Sequence, residues 1–284
     1  MINFDAGSGN NYLLNDGFEI PKLGLGTYKL QGLDGVRRMS SALDRGYRLL
    51  DSAFNYENEG AVGAAIRQSG VPREEITVTS KLPGRHHVYE EAVPCIQESL
   101  LRLGLDYLDF YLIHWPNPIE DKYLEAWQAL IDAQKMGLIR SIGVCNFLPE
   151  HIDRLVEETG VAPVVNQIEL HPYFNQEELV SYHQDRGIII QSWSPIGRYN
   201  QASQEPVIKE IASQYGRSAQ QVILNWHIQK GFLPIPKSGH SGRQWENLQA
   251  LDFELSQEAI QKIDQLNRPN GRNKDQDPAV YQEF

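Results

Sequence analysis

Four side chains in this sequence have the types and spacing needed to put a proton on an oxygen: Asp51, Tyr56, Lys81 and His114. Three of them close short apolar runs, Leu49-Leu50-Asp51, Thr79-Ser80-Lys81 and Leu112-Ile113-His114, and Tyr56 follows five residues after the first. A buried Asp or Lys taken alone reads as half of a structural ion pair, because neither is stable in a core without a partner. An Asp, a Lys and a His ending three successive strands read together as a site. A free tyrosine keeps its proton up to a pH of about 10, poorly matched to proton transfer near neutrality. A neighbouring ammonium favours the phenolate and is expected to lower that value, each unit being worth about 1.36 kcal/mol. In this reading Asp51 keeps Lys81 charged against burial, Lys81 tunes Tyr56, and His114 orients a carbonyl oxygen toward the phenol. The set holds no obvious nucleophile, so the attacking species must come from a cofactor or a water.

Such residues need a frame that brings strand ends together. β-Branched or aromatic runs recur at Lys22–Thr27, Tyr47–Ser52, Ile76–Leu82, Tyr107–His114, Ile139–Asn146, Pro163–Leu170, Ile188–Pro195 and Leu233–Ser238. Several are apolar on both faces, as parallel strands covered on both sides are. Helical periodicity fills Glu57–Gln68, Tyr89–Leu103, Leu124–Met136, Pro149–Glu158, Gln176–Arg186 and Ser218–Lys230. Pro149 suits a first turn, and Gly70, Gly104, Gly137, Gly160 and Gly187 follow helical runs where left-handed caps would sit. Strands alternating with helices fit an open doubly wound sheet or a closed barrel. An α/β fold of the (β/α)8 TIM-barrel kind is the expectation, and 284 residues is an ordinary size for one. The polar strand ends would then share its carboxyl rim, where barrel enzymes carry catalytic groups.

Ahead of the first strand, Tyr12–Leu14 and Phe18–Ile20 flank Asn15-Asp16-Gly17, a β-hairpin expected to plug the bottom of the barrel. Ser256–Leu266 reads as an extra C-terminal helix, and the polar tail Arg268–Phe284 is expected to pack over the mouth or side. No internal linker interrupts the chain, so residues 1–284 read as one domain. The formal charge of −11 argues against nucleic acid or an anionic membrane surface as partner. No apolar run is long enough to span a bilayer, and Met1–Asp5 carry no leader pattern. Cys95 and Cys145 stand apart, so a reducing, cytoplasmic setting is expected, with the protein working as a monomer. Gly24-Leu25-Gly26 lacks the third glycine of a dinucleotide fingerprint, and Gly239–Gly242 is one residue short of a nucleophile elbow. His86, His87 and His171 lack metal-motif spacing, so no metal is expected.

The run Gly46-Tyr47-Arg48-Leu49-Leu50-Asp51-Ser52-Ala53-Phe54-Asn55-Tyr56-Glu57-Asn58-Glu59 resembles a signature of the aldo-keto reductase family. So do Thr79–Leu82, Leu112-Ile113-His114-Trp115-Pro116, Gly143-Val144-Cys145-Asn146-Phe147, Asn166-Gln167-Ile168-Glu169-Leu170-His171-Pro172 and Ile235-Pro236-Lys237-Ser238, in order along almost the whole chain. The resemblance implies a closed barrel, a tetrad of Asp51, Tyr56, Lys81 and His114, and NADPH-dependent reduction of aldehydes or ketones by hydride transfer. It implies that Asn146 and Gln167 hold the nicotinamide carboxamide and that Trp193 stacks on its ring, with Ser194 among the cofactor contacts. It also implies that Lys237, Ser238 and Arg243 grip the 2′-phosphate, with Glu246 and Asn247 near the adenine. Taken alone, Trp193 reads as a core aromatic and Arg243 as a solvated helix charge.

The sequence departs from the family pattern in two places. Cys145 stands where the family commonly has Ser, and a thiol donates more weakly, so one carboxamide contact is expected to weaken. Gly239-His240-Ser241-Gly242 replaces the usual residues after Lys-Ser. Tyr28, Phe54 and Trp115, with the tail, are expected to line an apolar mouth that admits small aldehydes, ketones or dicarbonyls. The connection after His114 is too short for a large lid. The alternative is a noncatalytic NADPH-binding regulatory or sensor subunit on the same fold, and the intact tetrad favours the enzyme.

Overall fold

The computed structural model describes residues 9–197, 201–274 and 276–284. Residues 1–8, including Met1–Asp5 with their missing leader pattern, lie outside the described ones.

A hairpin of β1 (Asn11–Leu13) and β2 (Glu19–Pro21) comes first, paired antiparallel with Tyr12 opposite Ile20. Eight parallel strands follow: β3 (Leu25–Gly26), β4 (Leu49–Asp51), β5 (Thr77–Leu82), β6 (Leu108–Ile113), β7 (Ile139–Cys145), β8 (Val165–Glu169), β9 (Ile189–Trp193) and β10 (Leu233–Pro234). Each pairs with the next in chain order, so one sheet curls around an axis. The seam between its two ends is narrower than the sequence runs at 22–27 and 233–238 suggested. Gly24 donates to the Pro234 carbonyl at 3.1 Å and Gly26 to the Pro236 carbonyl at 3.2 Å, and Gly26 bridges Lys237 in parallel. Pro234 and Pro236 have no N–H to return, so the ladder there runs one way and the strands are short. Glycine is needed at 26, since a Cβ would lie 2.9 Å from the Ile235 carbonyl oxygen.

The strands bury both faces. Inside the barrel Leu49, Phe110, Leu112, Cys145, Val165, Ile189 and Leu233 pack in one cluster with Tyr12, Leu14 and Ile20 of the hairpin. The hairpin thus plugs the barrel at the amino-terminal ends of its strands. Phe18 meets Phe110 edge-on at 5.4 Å, and the Tyr12 hydroxyl donates to the Ile228 carbonyl at 2.9 Å. The outward faces pack against helices through Met39, Leu43, Leu103, Trp127 and Leu130.

The helices are α1 (Gly32–Asp44), α2 (Glu59–Ser69), α3 (Tyr89–Leu103), α4 (Tyr123–Lys135), α5 (Pro149–Thr159), α6 (Glu177–Asp185), α7 (Pro206–Tyr215), α8 (Ala219–Gln229), α9 (Ser241–Leu248) and α10 (Gln257–Asp264). Local chemistry sets several ends. Pro149 opens α5, and Ser218 and Gln221 form a reciprocal cap on α8, at 3.3 and 2.9 Å. Ser256 accepts from the Ala259 N–H at 3.2 Å and starts α10, a contact worth about 1 kcal/mol. Helices α1, α7 and α9 go beyond the sequence assignment. No helix among the described residues is long and apolar enough to cross a membrane.

The tail is irregular and strapped down along its length. Arg268 N–H donates to the Tyr173 carbonyl at 3.1 Å, and Asn273 N–H to Glu169 Oε1 at 2.6 Å. Further on, the Tyr281 ring packs against Trp115 at a tilt of 53°, with ring centroids 4.4 Å apart.

Candidate active site

The carboxyl ends of the strands surround a cavity of about 520 Å³. Ten of the residues singled out from the sequence line it: Tyr28, Asp51, Tyr56, His114, Trp115, Asn146, Gln167, Trp193, Ser194 and Lys237. Lys81 lies behind the wall, wholly buried, with its Nζ 2.8 and 2.9 Å from the two Asp51 oxygens and 2.6 Å from the Ser52 carbonyl. Pairing of β4 with β5 places these side chains on adjacent strands. Burial opposes the Lys81 charge, but Asp51 and Tyr56 outweigh it and carry its pKa above the ordinary value. The ammonium therefore persists, as the sequence reading required.

Tyr56 ends a single 3-10 turn, Phe54–Tyr56, held by Asn58. The Asn58 amide donates to the Thr27 and Leu30 carbonyls at 2.8 and 3.1 Å and accepts from the Ser52 hydroxyl at 2.8 Å. Lys81 Nζ stands 5.1 Å from the Tyr56 ring centroid, and the His114 ring meets Tyr56 edge-on at 5.9 Å. One expectation is corrected here. The phenol is pushed up to about 12, because burial of its hydroxyl outweighs the pull of Lys81. Lys81 acts in the predicted direction, yet Tyr56 remains a protonated acid throughout the neutral range.

Asn146 and Gln167 sit side by side, with the Asn146 N–H donating to the Gln167 carbonyl at 3.0 Å. The Gln167 amide spends its two hydrogens on Asp51 Oδ1 at 2.7 Å and Gln191 Oε1 at 2.6 Å, so its oxygen remains to accept. Asn146 accepts from the Trp193 indole N–H at 2.8 Å and donates to the His114 carbonyl at 3.1 Å, keeping one amide hydrogen. One acceptor beside one donor is the complement of a primary carboxamide, and the Trp193 indole, bonded to Asn146 through its N–H edge, stands beside them at the cavity wall. The residues present thus fit a nicotinamide. The Cys145 thiol is fully buried in the barrel interior and does not line the cavity.

Other sequence assignments fall away from the cavity wall. Phe54 faces outward, under the Arg102 guanidinium at 4.0 Å. The Ser238 hydroxyl is engaged with the His240 backbone, at 3.3 and 3.2 Å. Arg243, Glu246 and Asn247 lie on α9, with Arg243 exposed and Asn247 buried against Tyr47. The mouth is also less apolar than expected, because the tail brings Asn273, Lys274, Gln276 and Glu283 to it. Glu283 was not singled out from the sequence. It contacts His114 Nδ1 at 2.6 Å, and nothing in the polar tail composition marks it out. Among the described residues no cluster of His, Cys, Asp and Glu could hold a metal ion.

Residues 22–268 match the profile of the aldo/keto reductase family. The chain is 49% identical to 2,5-diketo-D-gluconic acid reductase B of a Corynebacterium strain, over 95% of this chain and 97% of that one. It is 40% identical to a methylglyoxal reductase of Escherichia coli K12, over 94% and 96%. Among solved structures it is similar to a Bombyx mori aldo-keto reductase in complex with NADP, with a TM-score of 0.89 and 37% identity over 98% and 99% of the two chains.

Proposed function

This chain belongs to the aldo/keto reductase family, and we propose that it reduces small aldehydes, ketones and dicarbonyls to alcohols with NADPH, using Tyr56 as the general acid. The observation that carries this reading is the meeting of Tyr56, His114 and the buried Asp51–Lys81 pair at one cavity. Bound NADPH supplies a hydride to the carbonyl carbon. Asn146, Gln167, Trp193 and Ser194 would hold its nicotinamide end, and Lys237, with Ser238, Arg243, Glu246 and Asn247 beyond, its adenosine end.

The protein's own groups manage the charge that builds on oxygen. His114 and Tyr56 approach the carbonyl oxygen together, and the Tyr56 proton passes to it. A phenol held at about 12 still serves, because an alkoxide is a far stronger base than a phenolate. The Lys81 ammonium then stabilises the phenolate, and Asp51 keeps that ammonium charged. The cavity volume, and the dicarbonyl substrates for which two relatives are named, support small substrates. The reading is of one barrel domain, active as a monomer in the cytoplasm, with both thiols free and buried.

Tyr56→Phe removes the proton and little else. NADPH oxidation with a carbonyl panel should fall by about 10²- to 10⁴-fold while NADPH affinity, read by tryptophan fluorescence, stays unchanged. Retained turnover in the variant would remove this mechanism.

A further inference from the structure

Phe54 opens the turn that carries Tyr56, stands outside the cavity wall, and has no part in the chemistry above. It is nonetheless buried, beneath charged groups. The Arg102 guanidinium lies 4.0 Å from its ring centroid, Arg85 lies 5.4 Å from it, and His86 meets it edge-on at 5.8 Å. Arg85 also donates to Oδ1 of Asn55, the next residue of the turn, at 2.6 Å. A guanidinium over an aromatic face is held there by the quadrupole of the ring.

Arg102 lies in the last turn of α3 and is itself held in place. Glu98, one turn earlier, accepts from its Nε at 2.8 Å, and Glu59 Oε2 lies 3.7 Å from its Nη1. Glu59 begins α2 and is buried, and its Oε1 accepts from the Ser80 hydroxyl at 2.5 Å. Its Oε2 is buried with no hydrogen-bond donor among the described residues, so the ion pair with Arg102 is what answers it. Burial raises the Glu59 pKa, and Ser80, Ser99 and Arg102 pull the other way. The two helices meet here because residue 63 is glycine, where a Cβ would strike the Leu103 carbonyl oxygen.

These contacts lie back to back with the tetrad. Ser80 and Lys81 are neighbours on β5, and alternation along a strand turns the first outward and the second inward. Phe54 and Tyr56 divide in the same way within one 3-10 turn. Glu59 and Arg102 thus grip, from outside the barrel, the two segments whose inner side chains are Tyr56 and Lys81, with Nζ 5.1 Å from the ring centroid. We propose that Arg102 is a positioning residue for Tyr56, its guanidinium fastening Phe54 so that the turn presents the phenol to the substrate oxygen beside Lys81. The proposal rests on the reductase reading above. It gives the outer helical layer a part in the reaction and Phe54 a task that its place in the motif leaves open.

Arg102→Met removes the guanidinium from an exposed side chain and spares the core. With the full chain, NADPH and methylglyoxal, kcat is expected to fall about tenfold, since a misplacement of about 1 Å caused far from the chemistry costs up to about a hundredfold. KM and NADPH affinity should be unchanged, and Arg102→Lys should restore part of the loss, because an ammonium also binds the ring face. A double-mutant cycle with Tyr56→Phe separates positioning from general support. A residue that acts through Tyr56 loses its effect once the hydroxyl is gone, so Arg102→Met should change the residual rate of Tyr56→Phe by less than about twofold. Wild-type kcat in Arg102→Met, or equal losses in both backgrounds, overturns the proposal. Phe54→Leu, which takes away the ring instead, should reproduce the loss and add nothing to Arg102→Met, and full additivity of the two overturns it as well.

A last readout needs no turnover. In ¹³C NMR of protein labelled at the tyrosine Cζ, the Tyr56 signal is assigned by its disappearance in Tyr56→Phe. It should move in Arg102→Met while those of Tyr12 and Tyr47 stay in place, and an unmoved Tyr56 signal overturns the proposal. Absence of turnover by the wild type with every carbonyl would instead strike the reductase reading, and the NMR result would still decide whether Arg102 positions Tyr56.

Discussion

Asp51→Asn probes the pair on which Tyr56 depends. In the native protein Lys81 and Asp51 are 0% and 2% exposed, so solvent screening does not soften their separation. Removing one partner of such a buried pair costs about 3–5 kcal/mol. The lysine can escape by losing its proton, and that route sets a ceiling. From an ordinary value of 10.5, deprotonation at pH 7 spans about 3.5 units at about 1.36 kcal/mol each, roughly 4.8 kcal/mol. At pH 9 the same step spans about 1.5 units, roughly 2 kcal/mol. The wild-type pair does not follow this trend. The folded pKa of Lys81 is raised, so its contribution is complete below 10.5 and is lost only as pH climbs through the folded value. The destabilisation by Asp51→Asn should therefore be about 3–5 kcal/mol at pH 7 and no more than about 2 kcal/mol at pH 9. Urea melts of both proteins at the two pH values measure it, with Asp51→Leu/Lys81→Met as the control that removes both charges. A loss below about 1 kcal/mol at pH 7, or one that fails to shrink at pH 9, refutes the reasoning.

Two further outcomes are expected. Lys237→Ala with Arg243→Ala should raise the KM for NADPH far more than the KM for NADH, and equal effects on both would remove the 2′-phosphate assignment. His87, His183 and His227 are buried and neutral, with burial pushing their pKa values down to about 4, 4 and 3. A folded value below the ordinary 6.5 means stability that is present above pH 6.5 and lost as pH falls toward 4. Near pH 5 the unfolded chain holds almost three more protons, so stability should decline by about 4 kcal/mol per pH unit. A urea midpoint that stays level from pH 7 to 5 would contradict this.

The tetrad was legible because each member ends an apolar run, and a barrel maps strand ends onto one rim. Asn146, Gln167 and Trp193 followed for the same reason. What escaped was whatever depends on three-dimensional enclosure. The spacing from Tyr56 to Lys81 shows that a cation is near but not how deeply the hydroxyl is buried, and burial decides the sign of its shift. Phe54 belongs to the motif, yet the 3-10 turn that aims Tyr56 inward aims Phe54 outward. Helix α1 was hidden by two glycines in its first turn, Gly32 and Gly35. Glu283 is bound to Asn117 across a separation of 166 residues, which no local pattern records.

The hairpin at the bottom of the barrel also bears on how the molecule is made. Tyr12 leaves the ribosome early, yet its hydroxyl bonds to the carbonyls of Ile228 and Phe232, 216 and 220 residues further on. The strands that enclose it are translated in between. Until β10 is released the plug has an open sheet to rest on, with the edges of that sheet unpaired and its inner face wet. Edges of that kind are where chains join wrongly. Completion of the barrel is therefore a late event of high contact order, and the plug finds its full set of partners only when the last strand is in place.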